Sequence, residues 1–379
     1  MLLQLTRRYL ALLSAVCALC SGSGLQAGAE ASAAVSTLGL PTAKPEAVGF
    51  SSGRLAVAEK FLRSEVDAGR YSGAVWLVAR DGKVVTHGAI GQRDIGQRLP
   101  FTEGTPVRIY SMTKVITCVV VLTLFEEGRF NLNDPIGKYL PELAKMSVLT
   151  GGTAEVPELV PAKRAVSIRH LLTHTSGLGY DLLGSNKALR EIYTRANLWR
   201  GPANLQEFAT KVGQLPLYHH PGDGWTYGIN MDVLAAFVER ITGQPFAQVL
   251  RERVFRPLGM NATTFRPNAA QAEALARVYK RNKNGSLDPE TMFGIDFNET
   301  AIPTGGAGLI STLHDYARFA QMLLNGGELD GARVLGRKTV ELMSSNQIAS
   351  LTPRPAGVPA GFGFGVQVGV AAADTAPGL

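Results

Sequence analysis

The most informative stretch of the sequence is Ser111-Met-Thr-Lys-Val-Ile-Thr-Cys-Val-Val-Val-Leu-Thr-Leu-Phe-Glu-Glu-Gly128. It is apolar on nearly every face, which predicts a buried helix closed by Gly128. Ser111 and Lys114 share one face of such a helix. Backbone N–H groups at the helix start can stabilise an oxyanion near Ser111, and burial favours a neutral, proton-accepting Lys114. The two residues are therefore a candidate nucleophile and base.

The Ser-x-x-Lys spacing is weak alone, because about one match arises by chance in a chain of this length. In the competing interpretation Ser111 caps the helix and Lys114 extends to solvent. A buried helix gains nothing from an unpaired lysine in its first turn, since a buried ammonium without partners is costly. Other parts of the sequence have to separate the two interpretations.

Composition indicates an enzyme-sized globular protein. The chain has 379 residues, of which 45% are hydrophobic and 18% charged, enough for one large domain or two closely packed ones. Its formal net charge is +7, spread thinly along the chain, and Arg7 and Arg8 supply two of those charges. Nucleic acid is therefore not an expected partner.

The N-terminus has the pattern of a secretory signal. Residues 1–29 combine Arg7 and Arg8 with an apolar run over 9–20 and a small-residue end. That run is too short to span a bilayer, although an uncleaved anchor is the alternative. We expect a periplasmic or secreted bacterial protein with no stable membrane span after cleavage, followed by a flexible leader over 30–44.

A zinc-protease pattern and a disulfide framework are both missing. His170 and His174 lack the intervening glutamate of a His-Glu-x-x-His zinc site. After removal of the signal only Cys118 is left, so no intramolecular disulfide is expected. Cys118 itself reads as a small core residue.

The β-rich segments predict a sheet on both sides of a helical region. An amphipathic helix over 51–68 precedes strands at 72–80 and 83–90, which are joined by the hairpin dipeptide Asp81-Gly82. Further helices are predicted near 312–324 and 338–344, and a Gly-rich strand over 361–370. We expect a sheet domain formed by 45–110 and 301–379 and a mainly helical domain formed by 111–300, with polar excursions at 145–165 and 268–300.

A second constellation is Pro221-Gly-Asp-Gly-Trp-Thr-Tyr-Gly-Ile-Asn230, which leads into a helix over 231–241 and presents Tyr227 on a turn. A lysine ammonium beside a phenol favours its phenolate, so Tyr227 could take the proton of Ser111 and pass it to a leaving group. The alternative is that Tyr227 and Trp225 are only packing aromatics.

Five ordered motifs together resemble the serine β-lactamase/penicillin-binding protein superfamily, in its class C-like branch and most closely its family VIII esterases. They are Ser-x-x-Lys at 111–114, His-Leu-Leu-Thr-His-Thr-Ser-Gly-Leu at 170–178, Pro-Gly-x-x-Trp-x-Tyr at 221–227, Asp-Val-Leu at 232–234 and Pro-Leu-Gly-Met at 257–260. The similarity runs from about residue 45 to the end of the chain.

The resemblance implies roles for particular residues. Ser111 would be the acylated nucleophile, Lys114 its partner base and Tyr227 the counterpart of the class C general base, with no cofactor and no metal. The candidate substrate-binding residues are Tyr110, Trp225, Asn230 and Tyr180.

Two departures from the family pattern shape the functional expectation. Ile229 stands where class C enzymes have the asparagine of Tyr-x-Asn, and Asn230 follows one residue later, which favours esters over amides. No Lys-Thr-Gly, His-x-Gly or Trp-Gly-Gly triplet follows residue 300, and that motif would lend the second oxyanion N–H. We therefore expect a family member that is truncated at its C-terminus.

The resemblance implies an α/β (α+β) fold of the β-lactamase/transpeptidase type, an antiparallel sheet flanked by helices plus an all-α insert. The expected function is a secreted serine hydrolase that forms an acyl-enzyme, specifically a carboxylesterase on short-chain esters. The alternatives are a class C-type β-lactamase or D,D-peptidase, and a non-catalytic cell-envelope binding protein. The expected partner is a small ester or lactam; the oligomeric state is left open.

Overall fold

The computed structural model describes residues 39–181, 186–290, 302–351 and 361–365. The helices are α1 Ser52–Asp67, α2 Thr113–Glu126, α3 Ile168–Leu172, α4 Lys187–Ala196, α5 Leu205–Gly213, α6 Asn230–Thr242, α7 Phe246–Leu250, α8 Ala269–Ala274, α9 Leu313–Leu324 and α10 Arg337–Met343. The strands are β1 Gly73–Arg80, β2 Lys83–Asp94, β3 Leu99–Pro100, β4 Val107–Arg108, β5 Ser147–Gly152, β6 Pro157–Pro161, β7 Tyr279–Arg281, β8 Leu287–Pro289, β9 Ile310–Ser311, β10 Glu328–Leu329 and β11 Ala332–Arg333. The predicted signal at 1–29 lies outside the described residues.

The first sheet is the predicted antiparallel hairpin. Strands β1 and β2 pair from Gly73↔Gly91 to Arg80↔Lys83, and β3 joins the other edge of β2. Asp81 and Gly82 both have positive φ, 52° and 72°, which is the backbone that a two-residue turn needs between right-twisted strands. The sequence-based prediction of this hairpin is confirmed.

Helix α2 is the buried centre of the molecule. Its residues from Ile116 to Leu122 are fully buried, and Cys118 lies among them with its Sγ 3.4 Å from the Met231 sulfur of α6. The helix ends at Glu126, and Gly128 follows with a left-handed φ of 70° while its N–H donates to the Phe125 carbonyl. One detail of the prediction is wrong: the α-helix begins at Thr113, and Ser111 lies in a preceding 3-10 turn, Tyr110–Met112.

A short strand pair places the loop before β9 against the start of α2. Strands β4 and β9 pair antiparallel through Val107↔Ser311 and Arg108↔Ile310. The Leu309 N–H then donates to Thr113 Oγ1 at 3.3 Å, and the Thr117 hydroxyl donates to the Gly305 carbonyl at 2.7 Å. This packing brings residues 305–309 to the N-terminal turn of α2, where Ser111 and Lys114 lie.

Helices predicted over 51–68, 231–241, 312–324 and 338–344 are confirmed as α1, α6, α9 and α10. The excursion at 145–165 is instead a hairpin of β5 and β6, held to the helical part by a bridge between Val148 and Leu217. Helix α8 and the β7–β8 hairpin occupy 269–289. The predicted strand over 361–370 is described only as far as 365, where Phe362 forms an isolated bridge.

Within these described ranges, no helix combines the length and the apolar character that crossing a membrane requires.

Candidate active site

Ser111 lies on a one-turn projection at the start of the buried helix. Its side chain is exposed, whereas Thr113 and Lys114 immediately after it are buried. Tyr110 has φ of 41°, an uncommon conformation for a residue with a side chain, and such strain is typical of functional sites. The Tyr316 hydroxyl donates to the Met112 carbonyl at 3.2 Å. The turn is therefore anchored from α9 while the hydroxyl of Ser111 faces open space.

Lys114 is 2% exposed, and its ammonium has three oxygen neighbours. Nζ lies 3.2 Å from Ser111 Oγ, 3.1 Å from the Tyr180 hydroxyl and 2.8 Å from the Gly306 carbonyl. A carbonyl can only accept, so one N–H always points at Gly306, whereas the two hydroxyls can donate or accept. The same geometry therefore accommodates a charged lysine and a neutral one that accepts the Ser111 proton.

The Gly306 carbonyl is held in place by a buried carboxylate. The Gly306 N–H donates to Asp232 Oδ1 at 2.8 Å, and Asp232 lies fully buried in the first turn of α6. Burial raises the pKa of Asp232 to about 6, against an opposing effect of the nearby Lys114 charge. Because its N–H is used in this way, Gly306 offers an acceptor to Lys114 and no donor to an oxyanion.

Neither Gly305 nor Gly306 has room for a side chain. A Cβ on Gly306 would lie 2.6 Å from Asp232 Oδ2 and 3.1 Å from the Tyr180 hydroxyl, and one on Gly305 would overlap the Met231 carbonyl oxygen. This close backbone approach is what lets Lys114 reach a main-chain carbonyl. Sequence reasoning did not place Asp232 at the site, although its position in a motif shortly after Tyr227 was a usable signal.

Two tyrosines flank Lys114 in different ways. The Tyr180 hydroxyl bonds to Nζ, while Tyr227 presents its ring, with the centroid 4.7 Å from Nζ. That distance fits a cation–π contact. Burial, with further contributions from Asp232 and Tyr227, raises the pKa of Tyr180 well above its ordinary value. Tyr180 therefore stays a phenol, while Tyr227 contacts the same amine through its ring.

Comparison with known proteins identifies the family. The sequence model of the Beta-lactamase family matches residues 58–376, most of the chain. The protein belongs to the beta-lactamase family. Its predicted α/β fold of antiparallel sheets and helices is thereby confirmed, as is the serine hydrolase class.

The relatives of this beta-lactamase family member include esterases and acyltransferases. Acyltransferase mokF of Monascus pilosus is 33% identical over 324 residues, which cover 80% of this chain and 75% of that protein. Esterase EstB of Burkholderia gladioli is 34% identical over 272 residues, which cover 66% and 64%. The solved structure of EstCE1, described as a hydrolase with promiscuous acyltransferase activity, superposes with a TM-score of 0.68 at 26% identity and 83% coverage of both chains. These similarities support the esterase-like, family VIII branch.

The predicted substrate-binding residues of this beta-lactamase family chain lie in different places. The Tyr180 hydroxyl bonds to Lys114 Nζ and is therefore not available to a substrate. Trp225 packs beside Tyr227, with ring centroids 6.1 Å apart, and against Phe362 at 5.5 Å. The Tyr110 hydroxyl is buried, and this burial raises the pKa of Tyr110. The nearby charges of Arg108 and Glu290 have smaller, opposite effects on it.

The assignment of Asn230 to substrate binding does not fit the structure. Asn230 is fully buried, its Oδ1 accepts from the Ser176 hydroxyl, and its Nδ2 donates to His174 Nδ1 at 2.8 Å. Ile229 is likewise 1% exposed. Both residues start α6, whose first turn faces the core, so the amide that follows Tyr227 in the sequence is engaged inside the protein.

Proposed function

We propose that this serine hydrolase is a carboxylesterase that acts on short-chain esters through an acyl-enzyme on Ser111. The observation that carries the proposal is the buried amine of Lys114, held by the Gly306 carbonyl and placed 3.2 Å from the exposed Ser111 hydroxyl. A nucleophilic serine must be reachable by substrate, and its base is protected when it is buried; here Ser111 is exposed and Lys114 is buried.

The proposed reaction has two halves. Ser111 Oγ attacks the ester carbonyl carbon while its proton passes to Lys114, and in this proposal the Ser111 N–H stabilises the oxyanion. Collapse breaks the bond to the alcohol oxygen, which receives a proton by way of Tyr227, and leaves the acyl group on Ser111. Water then attacks the acyl-enzyme, giving up its proton to the same groups, and releases the carboxylic acid.

The preference for an ester over a lactam or peptide is supported by the residues that follow Tyr227. Ile229 is apolar and buried, and the Asn230 amide is used by Ser176 and His174, so neither offers an amide to a substrate. The similarity to esterase EstB points in the same direction.

The experiment is a matched pair of substrates with a matched variant. Purified enzyme is expected to turn over p-nitrophenyl butyrate much faster than nitrocefin, and Ser111→Ala should lose both turnover and labelling by a fluorophosphonate. Faster nitrocefin turnover would favour the β-lactamase alternative. Labelling without turnover would indicate a damaged enzyme. If the wild type is not labelled at all, the protein is a binding protein instead.

A second candidate is transfer of the acyl group to an alcohol instead of water. It is favoured by the similarity to mokF, named an acyltransferase, and to EstCE1, described as having promiscuous acyltransferase activity. The exposed Ser111 leaves room for either acceptor. Hydrolysis of p-nitrophenyl butyrate in the presence of a primary alcohol would separate them: transfer gives the new ester in place of butyrate, and hydrolysis gives butyrate alone.

We also propose that the protein is exported, on the strength of the charged, apolar and small-residue pattern in residues 1–29. Cell fractionation and N-terminal sequencing of the mature product test this. A protein that retains its first residues and stays in the cytoplasm would contradict the proposal.

A further inference from the structure

His174 is a fully buried residue beside Tyr227 that the proposed reaction leaves unused. It follows α3 and has φ of 59°, in the left-handed region that is uncommon for residues other than glycine, although His, Asn and Asp adopt it more often than the rest. Such a conformation persists only where the surroundings require it. The contacts of His174 indicate what requires it here.

His174 binds the chain on both sides of Tyr227. Its carbonyl accepts the Thr226 N–H at 2.8 Å, and its ring Nδ1 accepts the Gly228 N–H at 3.3 Å. The Nδ2 of Asn230 donates to the same Nδ1 at 2.8 Å. One residue therefore fixes the backbone immediately before and immediately after the tyrosine.

The imidazole ring also touches the tyrosine itself. The His174 and Tyr227 ring centroids are 4.9 Å apart at an interplanar angle of 33°. The Tyr227 ring in turn lies 4.7 Å from Lys114 Nζ. The position of the phenol relative to the amine thus depends on His174 through two backbone hydrogen bonds and one ring contact.

These contacts determine the protonation of the ring. Both groups at Nδ1 are N–H donors, so Nδ1 must be the unprotonated acceptor and the proton must be on Nε2. Burial, with the charge of Lys114, keeps the pKa of His174 well below its ordinary value. The neutral Nε2–H tautomer is the form that holds the Tyr227 turn.

We propose that His174 is a positioning residue that holds the Tyr227 hydroxyl in place for proton transfer. The inference rests on the proposed function, because it requires Tyr227 to act in catalysis. It assigns to His174 an effect on kcat and on the acylation rate, with little effect on KM, since the residue contacts Tyr227 and not the substrate.

The first test uses two replacements that separate the acceptor from the ring. His174→Phe keeps an aromatic ring but removes the Nδ1 acceptor, and small misplacements of reacting groups are expected to lower kcat by about tenfold to a hundredfold. His174→Asn tolerates the left-handed backbone and offers Oδ1 near the place of Nδ1, so kcat should stay within about threefold of wild type. An equal loss in both variants would overturn the proposal.

The matched control is His170→Phe. His170 lies one helical turn earlier and accepts the Ser167 N–H as part of the cap of α3. Its loss should lower the melting temperature and leave kcat unchanged. A loss of kcat equal to that of His174→Phe would show that any disturbance of this loop slows the enzyme, which would overturn a specific role for His174.

The second test asks whether His174 acts through the hydroxyl. In a Tyr227→Phe background, His174→Phe should cost less than about twofold in kcat, because the group that it positions is gone. The same fold loss in both backgrounds would make His174 a structural residue only. If Tyr227→Phe alone leaves kcat unchanged, the proposed role of Tyr227 has failed, which is a distinct result.

A measurement on the wild-type protein does not depend on folding of any variant. The nitrogen chemical shifts of His174 at neutral pH are expected to show a neutral ring with the proton on Nε2. A proton on Nδ1, or a charged imidazolium, would be incompatible with the two donors at Nδ1 and would overturn the proposal.

Discussion

Tyr180 and Tyr227 are two phenols beside one amine, with ring centroids 5.8 Å apart, and the structure uses them in opposite ways. Tyr180 brings its hydroxyl to Lys114 Nζ at 3.1 Å, whereas Tyr227 brings its ring face. A hydroxyl that is bonded to the base helps to fix the base. The Tyr227 hydroxyl has no hydrogen-bond partner among the residues that the structure describes, so it can serve the reacting groups. Residue type alone therefore does not identify the tyrosine that moves a proton.

The surroundings explain why the two roles are not interchangeable. Burial and the nearby Asp232 raise the pKa of Tyr180, so its phenolate is disfavoured at any ordinary pH. Tyr227 is only partly buried and sits on a turn that precedes α6. We assign the structural role to Tyr180 and the proton-transfer role to Tyr227.

The largest effect should come from removing the amine that both tyrosines share. Lys114→Ala is expected to slow acylation by about 10²-fold or more, because it deletes the positioned base. Stopped-flow measurement of p-nitrophenol release gives the rate, with Ser111→Ala as the baseline. A full wild-type rate would mean that neither tyrosine works through Lys114.

The direct comparison is Tyr227→Phe against Tyr180→Phe. Loss of the Tyr227 hydroxyl should lower kcat by about 10²-fold, as expected for a general acid or base, with unchanged packing. Loss of the Tyr180 hydroxyl removes one hydrogen-bond partner of Lys114 and should lower kcat by about tenfold. Steady-state kinetics and melting temperatures of both variants give the answer. The reverse order would exchange the two roles.

The raised pKa of Asp232, the carboxyl that affects Tyr180, predicts that the stability of the protein depends on pH. Its folded pKa of about 6 lies above the ordinary 3.8, so the folded protein binds this proton more tightly than the unfolded chain does. That stabilisation is fully present below pH 3.8 and is lost as the pH rises through 6. Relative to wild type, Asp232→Asn should therefore gain about 2 kcal/mol of unfolding free energy between pH 4 and pH 7. Urea unfolding at several pH values measures the difference, and a constant difference would contradict the prediction.

The smallest effect is expected on the Tyr227 side, at Ile229. Since this side chain is 1% exposed, Ile229→Asn should lower the free energy of unfolding by about 1–3 kcal/mol through an unpaired buried amide. The ratio of ester to nitrocefin turnover should not change. A variant of wild-type stability with raised nitrocefin turnover would show that position 229 faces the substrate.

Local signals predicted much of this fold. The Asp81-Gly82 turn, the apolar pattern of α2 and its closing Gly128 each depend on neighbours in the sequence, and each is confirmed. The pairing of Ser111 with Lys114 was also predictable, because three residues along a helical turn bring two side chains together.

Contacts between distant segments could not be predicted in the same way. Gly306 and Asp232 are 74 positions apart, and no periodicity relates them. Asn230 was expected to bind substrate, but only the tertiary structure shows that this first residue of α6 is buried with its amide bonded to Ser176 and His174. Tyr180 was predicted to bind substrate, and only the tertiary structure shows that its hydroxyl contacts Lys114 instead.

The bare backbone at Gly305 and Gly306 has a consequence for how this enzyme can diversify. Helix α6 approaches the loop so closely that any larger residue would displace either Met231 or Asp232, and with it the carbonyl that binds Lys114. Substitutions are therefore tolerated elsewhere, for instance on the exposed strand β6. A library with all residues allowed at 305, 306 and 158–160, selected for activity, should return glycine at the first two positions and wide variety at the others.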